Sequence, residues 1–232
     1  MTKKLLITEK PSVAREFAKV LKINGENRNG YLESEDWIIT WCVGHLVTMS
    51  YPEKYDENLK FWRLDTLPFL PKEYKYETIP NTERQFNIVK DLLLREDVDT
   101  IYVSTDSGRE GEYIYRLVEQ ETGVTGKLRK RVWIDSQTEE EIKRGIDEAK
   151  DLAEYDSLAD SAYLRAKEDY LIGINFSRLL SIIYGRRVAK QINEEKITVS
   201  VGRVMTCVLG MVVSREREIR NFVKIPYYKV IR

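Results

Sequence analysis

Thr105-Asp106-Ser107-Gly108-Arg109-Glu110-Gly111-Glu112 lies between an apolar run, Thr100-Ile101-Tyr102-Val103-Ser104, and a helical pattern, Tyr113-Ile114-Tyr115-Arg116-Leu117-Val118. The run is short and rich in β-branched and aromatic residues, which predicts a buried strand. Carboxylates gathered where a strand ends and a helix begins form a candidate metal site. They also suit a capping cluster, because the helix dipole favours negative charge there with or without metal. A second short strand, Leu5-Leu6-Ile7-Thr8, ends at Glu9-Lys10-Pro11-Ser12. If the two strands are parallel neighbours, Glu9 and Asp106 meet at one sheet edge, where open α/β sheets place their sites. Mg²⁺ takes hard oxygen ligands and needs only one or two protein carboxylates, so Glu9 and Asp106 suffice, with Glu110 at the helix start as a third candidate.

Outward from this stretch, strand and helix signals alternate. Pro11 suits a first helical turn, with Val13, Phe17, Val20 and Leu21 on one face. Residues 24–30 read as loop and 36–43 as a strand ending at Gly44-His45. Residues 50–75 read as an ordered irregular excursion rich in Pro, Tyr and Trp. Phe86, Val89 and Leu93 mark a helix, and Arg131–Asp135 a further strand. Thr138-x-x-Glu141 predicts a capping box opening a helix with Ile142, Ile146 and Leu152 on one face. The expected fold class is therefore α/β, a Rossmann-like parallel sheet, followed by a mostly helical segment. The expected division is 1–152 and 153–232. In the second part, 158–184 reads as a long helix, 186–198 as a polar connection, and Ser200 as the cap of a helix running to about Ile219. Met205 and Met211 are expected on that helix's core face. Arg215 to Arg220 read as a solvated face, with Glu216 and Arg220 spaced to pair. Pro226 to Arg232 reads as a strand just beginning, so a longer parent chain is expected.

With 33% charged and 42% hydrophobic residues, the composition fits a soluble globular protein. No apolar run approaches the roughly 20 residues needed to span a bilayer, and no membrane partner is expected. Two cysteines, Cys42 and Cys207, have no metal-type spacing, and a reducing, cytoplasmic setting follows. Net charge is zero, but its distribution is uneven. Residues 165–232 carry 14 basic and 6 acidic side chains, and the preceding 164 residues carry 24 and 32. Such a segment either meets a polyanion or presents a solvated basic helix face.

Glu9-Lys10-Pro11-Ser12, Thr40-Trp41-Cys42-Val43-Gly44-His45-Leu46, the Asp106 stretch and Ser200-Val201-Gly202-Arg203-Val204-Met205-Thr206 occur in this order in type IA DNA topoisomerases. The chain resembles the N-terminal part of the bacterial topoisomerase III branch, over essentially its whole length. The resemblance implies a TOPRIM domain in 1–152 and the start of a DNA-gripping segment in 153–232. It implies ATP-independent transesterification with Mg²⁺ as cofactor. A tyrosine attacks single-stranded DNA, a 5′-phosphotyrosyl link holds the break, and a strand passes before resealing. The implied substrates are single-stranded and negatively supercoiled or catenated DNA. Carried over by position, Glu9 and Lys10 are catalytic, Glu9 at the scissile phosphate and Lys10 against its developing charge. Asp106 is a Mg²⁺ ligand, and Arg109 a structural or phosphate-side contact. Trp62, Arg165, Asn175, Arg178, Ser200, Gly202 and Arg203 match DNA-binding positions. Arg165 and Arg178, 13 residues apart on one helix, are expected near one face. Trp62 is equally a packing residue on sequence grounds, and His45 a hydrogen-bonded strand-end residue.

Two positions depart from the family pattern. Gly108 stands where a second Asp is usual, removing one ligand, and Met205 stands where Gln is usual. None of the 14 tyrosines lies in the family's nucleophile motif, so this chain alone is expected not to cleave or relax DNA. A TOPRIM-group primase or nuclease is the alternative that keeps the metal chemistry without a tyrosine. A nucleic-acid-binding module with a weakened metal site is the alternative that Gly108 motivates.

Overall fold

Along residues 2–230, which the computed structural model describes, nine strands and six α-helices follow one another. They are β1 (Lys3–Thr8), α1 (Pro11–Val20), β2 (Glu26–Arg28), β3 (Tyr31–Glu33), β4 (Trp37–Trp41), β5 (Val47–Met49), β6 (Tyr76–Thr78), α2 (Glu83–Leu94) and β7 (Val98–Ser104). After these come α3 (Arg109–Thr122), β8 (Leu128–Arg131), α4 (Glu139–Asp147), β9 (Lys150–Asp151), α5 (Asp156–Gln191) and α6 (Arg203–Arg220). By internal contacts the chain divides into two compact units, residues 1–57 with 71–167, and residues 58–70 with 168–232.

In the first unit, Leu5, Leu6 and Ile7 of β1 are all fully buried, so the strand is covered on both faces. That demand is met by a parallel sheet with helices on each side. The order is β2-β3-β4-β1-β7-β8-β9, with β4, β1, β7 and β8 parallel and both edges antiparallel. Leu5, Ile7, Ile101 and Val103 pack with Phe86, Val89 and Leu93 of α2 and Ile114, Leu117 and Val118 of α3. Leu6, Ile39 and Tyr102 pack on the other face with Val13, Ala14 and Phe17 of α1 and Ile142 of α4. β5 and β6 form a separate antiparallel pair.

Several expectations change. The stretch 24–30 is not plain loop, because Asn29-Gly30 turns β2 into β3, with Gly30 at φ 102°. The strand expected at 131–135 ends at Arg131, where the ladder to β7 stops at Val103. Thr138 caps α4 without a side-chain bond, and no capping box forms. Glu141 Oε1 instead accepts the Asp135 amide, and bonds from Arg144 and then Asp135 hold its carboxyl down to about 2. Leu152 lies beyond α4, in a short 3-10 turn.

In the second unit, residues 58–70 form 3-10 turns pinned to α5. Asn175 accepts the Phe69 amide at 2.6 Å and donates to the Phe69 carbonyl at 2.9 Å. Ser181 and Ser177 accept the Val199 and Val201 amides, both at 2.8 Å, and so lay an extended segment along α5. α5 reaches Gln191, so the first part of the expected polar connection is helix. α6 starts at Arg203 and is capped by Gly202, not Ser200. It buries no residue, and Met205 and Met211, expected in a core, are 68% and 72% exposed. Glu216 and Arg220 approach to 3.9 Å. Residues 222–230 form no strand, and the last two residues of the expected strand, 231 and 232, lie outside the described residues.

The two thiols differ sharply. Cys42 is fully buried, and burial first and the Glu9 charge second push its thiol up to about 12. Cys207 is exposed on α6. A thiol reagent at pH 8 is expected to titrate one group rapidly in the native protein and the second only in denaturant. Two rapid groups would contradict the burial of Cys42.

Candidate functional site

Parallel pairing of β1 with β4 and β7 aligns Thr8 with Trp41 and with Ser104, so three strand ends open onto one edge. Glu9 follows β1, the Cys42–His45 turn follows β4, and Thr105-Asp106 follows β7. The Glu9 carbonyl accepts the Gly44 amide, and the Thr8 carbonyl the Cys42 amide, which locks the first two loops together. Pro11 at the first position of α1 makes Lys10 the N-cap residue, and its side chain leaves from the helix start.

The Lys10 ammonium stands 3.3 Å from Glu9 Oε1 and 3.6 Å from Asp106 Oδ2. Glu9 is buried, while Lys10 and Asp106 are each 55% exposed at the side chain. Hydrogen bonding to Glu9, then the charges of Glu9 and Asp106, raise the Lys10 pKa, so it is a firm cation. Two hard carboxylates thus converge on one positive charge. At the end of β7, Ser104 Oγ is buried without a hydrogen-bond partner. These donors fit a Mg²⁺ ion that keeps several waters. Among the described residues, no group of three or more His, Cys, Asp or Glu side chains is placed to hold a metal.

Glu110 turns elsewhere. Its Oε1 lies 2.6 Å from Nε2 of His45, whose ring meets Tyr113 edge-on at 5.8 Å. The single histidine is thus a hydrogen-bonded strand-end residue. Arg109 is exposed at the start of α3.

Sequence reading missed the group that shapes the loop. Arg131 and Glu112 are both fully buried, and Arg131 Nε donates to Glu112 Oε2 at 2.9 Å. Glu112 Oε1 also accepts from Arg116 at 2.9 Å, and Arg116 reaches Asp156 at 2.8 Å. A charged residue opening the otherwise apolar run Arg131-Val132-Trp133-Ile134 was the available signal. Gly111 is required sterically: a Cβ there would lie 2.0 Å from the Asp106 carbonyl oxygen. Thr105 Oγ1 donates to the Gly111 carbonyl at 2.7 Å and closes the turn.

Within the second unit, Trp62 is 42% exposed, and the Arg178 guanidinium lies 5.6 Å from its ring centre. Arg178 is itself buried and donates to the Leu59 carbonyl at 2.8 Å. Asn175 is engaged with Phe69 as described. Arg165, on the part of α5 that belongs to the first unit, is half-buried. At 3.6 residues per turn, 13 residues span about 220°, so Arg165 and Arg178 do not share a face. Arg203 makes a two-pronged pair with Asp169, both bonds 2.9 Å, and is partly exposed. Gly202 donates to Thr206 Oγ1, and Ser200 is exposed. Lys60, Phe61 and Trp62 share the wall of an open cleft with Arg186 and Lys196.

Residues 4–136 match the family described as Toprim domain, and residues 153–232 match the one described as DNA topoisomerase. Curated relatives include DNA topoisomerase 3 of Bacillus subtilis, 40% identical over 230 residues, covering 99% of this chain and 30% of the relative. DNA topoisomerase 3 of Staphylococcus aureus is 42% identical over 226 residues, covering 97% and 30%. The chain thus spans about 30% of the length of these relatives. The structure of full-length topoisomerase I from Thermotoga maritima superposes with a TM-score of 0.61 at 20% identity, over 94% of this chain and 31% of that one, a likeness of fold.

Burial separates the two helix-start glutamates. Glu112→Ala strands the Arg131 charge and is expected to cost about 3–5 kcal/mol in urea unfolding. Glu110→Ala removes an exposed group and should stay within about 0.5 kcal/mol. Equal losses would refute the assigned roles.

Proposed function

We propose a role for this chain from the fact that it belongs to the Toprim domain family: it is the N-terminal part of a type IA DNA topoisomerase, working in the cytoplasm on single-stranded and negatively supercoiled or catenated DNA. Residues 1–152 act as the TOPRIM domain and 153–232 as the start of the DNA-gripping segment. The observation that carries this reading is the Lys10 ammonium between Glu9 and Asp106 at the C-terminal edge of the parallel strands. The DNA topoisomerase match over 153–232 favours it over a primase or nuclease of the same group.

In this reading a tyrosine oxygen attacks the scissile phosphorus, a 5′-phosphotyrosyl bond forms and the 3′ oxygen leaves. Lys10 is a compact cation suited to the negative charge that builds on the phosphate oxygens. Glu9, whose backbone carbonyl is held by the Gly44 amide, moves a proton at the departing 3′ oxygen. Glu9 and Asp106 would hold Mg²⁺, with Glu110 available if it exchanges His45, and the ion supplies positive charge beside the phosphate when bound. Because Gly108 withholds a second carboxylate from the Asp106 loop, this ion is held weakly.

Single-stranded DNA is gripped by the second unit. Trp62 offers a base-stacking face, and Arg178 and Asn175 hold its segment rigid from below. Arg203 meets a phosphate with the help of the open backbone at Gly202 and the Ser200 hydroxyl. From the first unit's part of α5, Arg165 adds a basic group.

Calorimetry with Mg²⁺ is expected to give binding heat for the wild type that Glu9→Ala and Asp106→Ala abolish, with unchanged unfolding midpoints. Absence of heat in the wild type sinks the metal assignment. For a fluorescent single-stranded 12-mer, Trp62→Ala should weaken binding by about 1–3 kcal/mol. Arg203→Ala should lower the log–log salt slope by about 0.7. Unchanged affinity and slope would remove both residues from the DNA surface.

A further inference from the structure

The β7–α3 loop carries Asp106 out of the sheet, yet no strand pairs with it. The parallel ladder between β7 and β8 stops at Val103 opposite Arg131. The next carbonyls, Thr105 and Asp106, would be left without ladder partners, a costly condition for buried backbone. The side chain of Arg131 takes over. Its Nη1 donates to the carbonyls of Val103 at 3.0 Å, Thr105 at 2.7 Å and Val132 at 3.0 Å, and its Nη2 to that of Asp106 at 2.8 Å. Nε is spent on Glu112.

We infer that Arg131 is the positioning residue of the Asp106 loop, setting where the Asp106 carboxylate stands by clamping its backbone, with Glu112 as the counter-charge that lets a guanidinium be buried there. The inference rests on the reading of Asp106 as a Mg²⁺ ligand for its functional consequence, though the clamp itself does not. Lysine cannot replace the fork, because only a planar guanidinium presents five N–H groups in fixed directions. The next residue is tied to the same stretch: Ser107 Oγ donates to the Ile134 carbonyl at 2.7 Å and accepts the Ile134 amide at 3.0 Å. From the helix side the loop can approach only because position 111 lacks a Cβ. The clamp is also electrostatically quiet towards the site. Glu112 lies against Arg131 and Arg116, and Arg116 against Asp156, so two positive and two negative groups balance. The Asp106 carboxylate takes no part in this ion-pair chain, while its backbone is held by it.

Two variants test this. Arg131→Lys keeps the charge for Glu112 and loses the fork. Glu112→Leu with Arg131→Met removes both charges together, a replacement that buried ion pairs commonly tolerate. Far-UV circular dichroism and urea unfolding report the fold, amide exchange by mass spectrometry reports residues 104–110, and calorimetry reports Mg²⁺. Both variants are expected to stay folded, to exchange the loop amides at least about tenfold faster, since bonds to a charged donor are lost, and to bind Mg²⁺ about 10–100-fold more weakly. Arg129→Lys, two residues earlier on β8 and partly exposed, should change neither. Wild-type exchange in the loop of the folded variants overturns the inference, as does faster exchange with undiminished Mg²⁺ affinity. If the wild type binds no Mg²⁺, the metal reading falls and loop exchange alone decides on Arg131. If the double variant does not fold, Arg131→Lys decides.

Discussion

A carboxylate and a guanidinium sealed from water, Glu112 and Arg131, form the constraint on which the candidate site depends. Burying two charges costs several kcal/mol per ion, and attraction between them offsets this only when their other hydrogen-bonding groups are also satisfied. Here they are. Arg131 completes four backbone carbonyls, and Glu112 takes a second guanidinium from Arg116, one turn along its own helix. Burial pulls the Arg131 pKa down, and Glu112 opposes that pull. The result is a loop held by a side chain where a strand would otherwise be needed. The sheet can end there and leave the Asp106 carboxylate facing solvent.

Much of this was legible from residue order. Leu5 to Thr8 and Thr100 to Ser104 announce two buried strands, and their parallel pairing follows from helical patterns between them. That pairing alone brings Glu9 and Asp106 to one edge, because strands in register end together. The partner of each carboxylate was less legible. Glu110 and Glu112 are two residues apart on a helix, hence on different faces, yet their sequence context gives no hint which is buried. Only the packing of α3 against β8 decides, and it turns Glu112 inward to Arg131 and Glu110 outward to His45. Reading 131–135 as a strand placed Arg131 at the beginning of a ladder when it stands at the end of one.

The second unit was harder to read for a different reason. Its order comes from side chains bonding to irregular backbone, which no periodicity announces. Asn175 and Arg178 were expected to face nucleic acid, yet each is occupied with the Asn58–Leu70 segment. α6 has a pattern of Val, Met and Leu that reads as a core helix, and the described residues put nothing over it. An apolar pattern along a helix does not by itself say whether a surface covers it.

The tie between residues 58–70 and α5 has a consequence for biosynthesis. The amide of Phe69 and its acceptor on Asn175 are separated by 106 positions, and Leu59 and Arg178 by 119. At ribosomal rates of roughly 5–20 residues per second, the early segment waits about 5–20 s for its partners to emerge. During that interval Phe61, Trp62, Leu64 and Leu70, which stay largely exposed even in the finished fold, sit on a nascent chain whose sheet is still gaining β7, β8 and β9. The excursion also means that no single proteolytic cut can release one unit intact from the other, because the chain leaves the first unit, visits the second and returns.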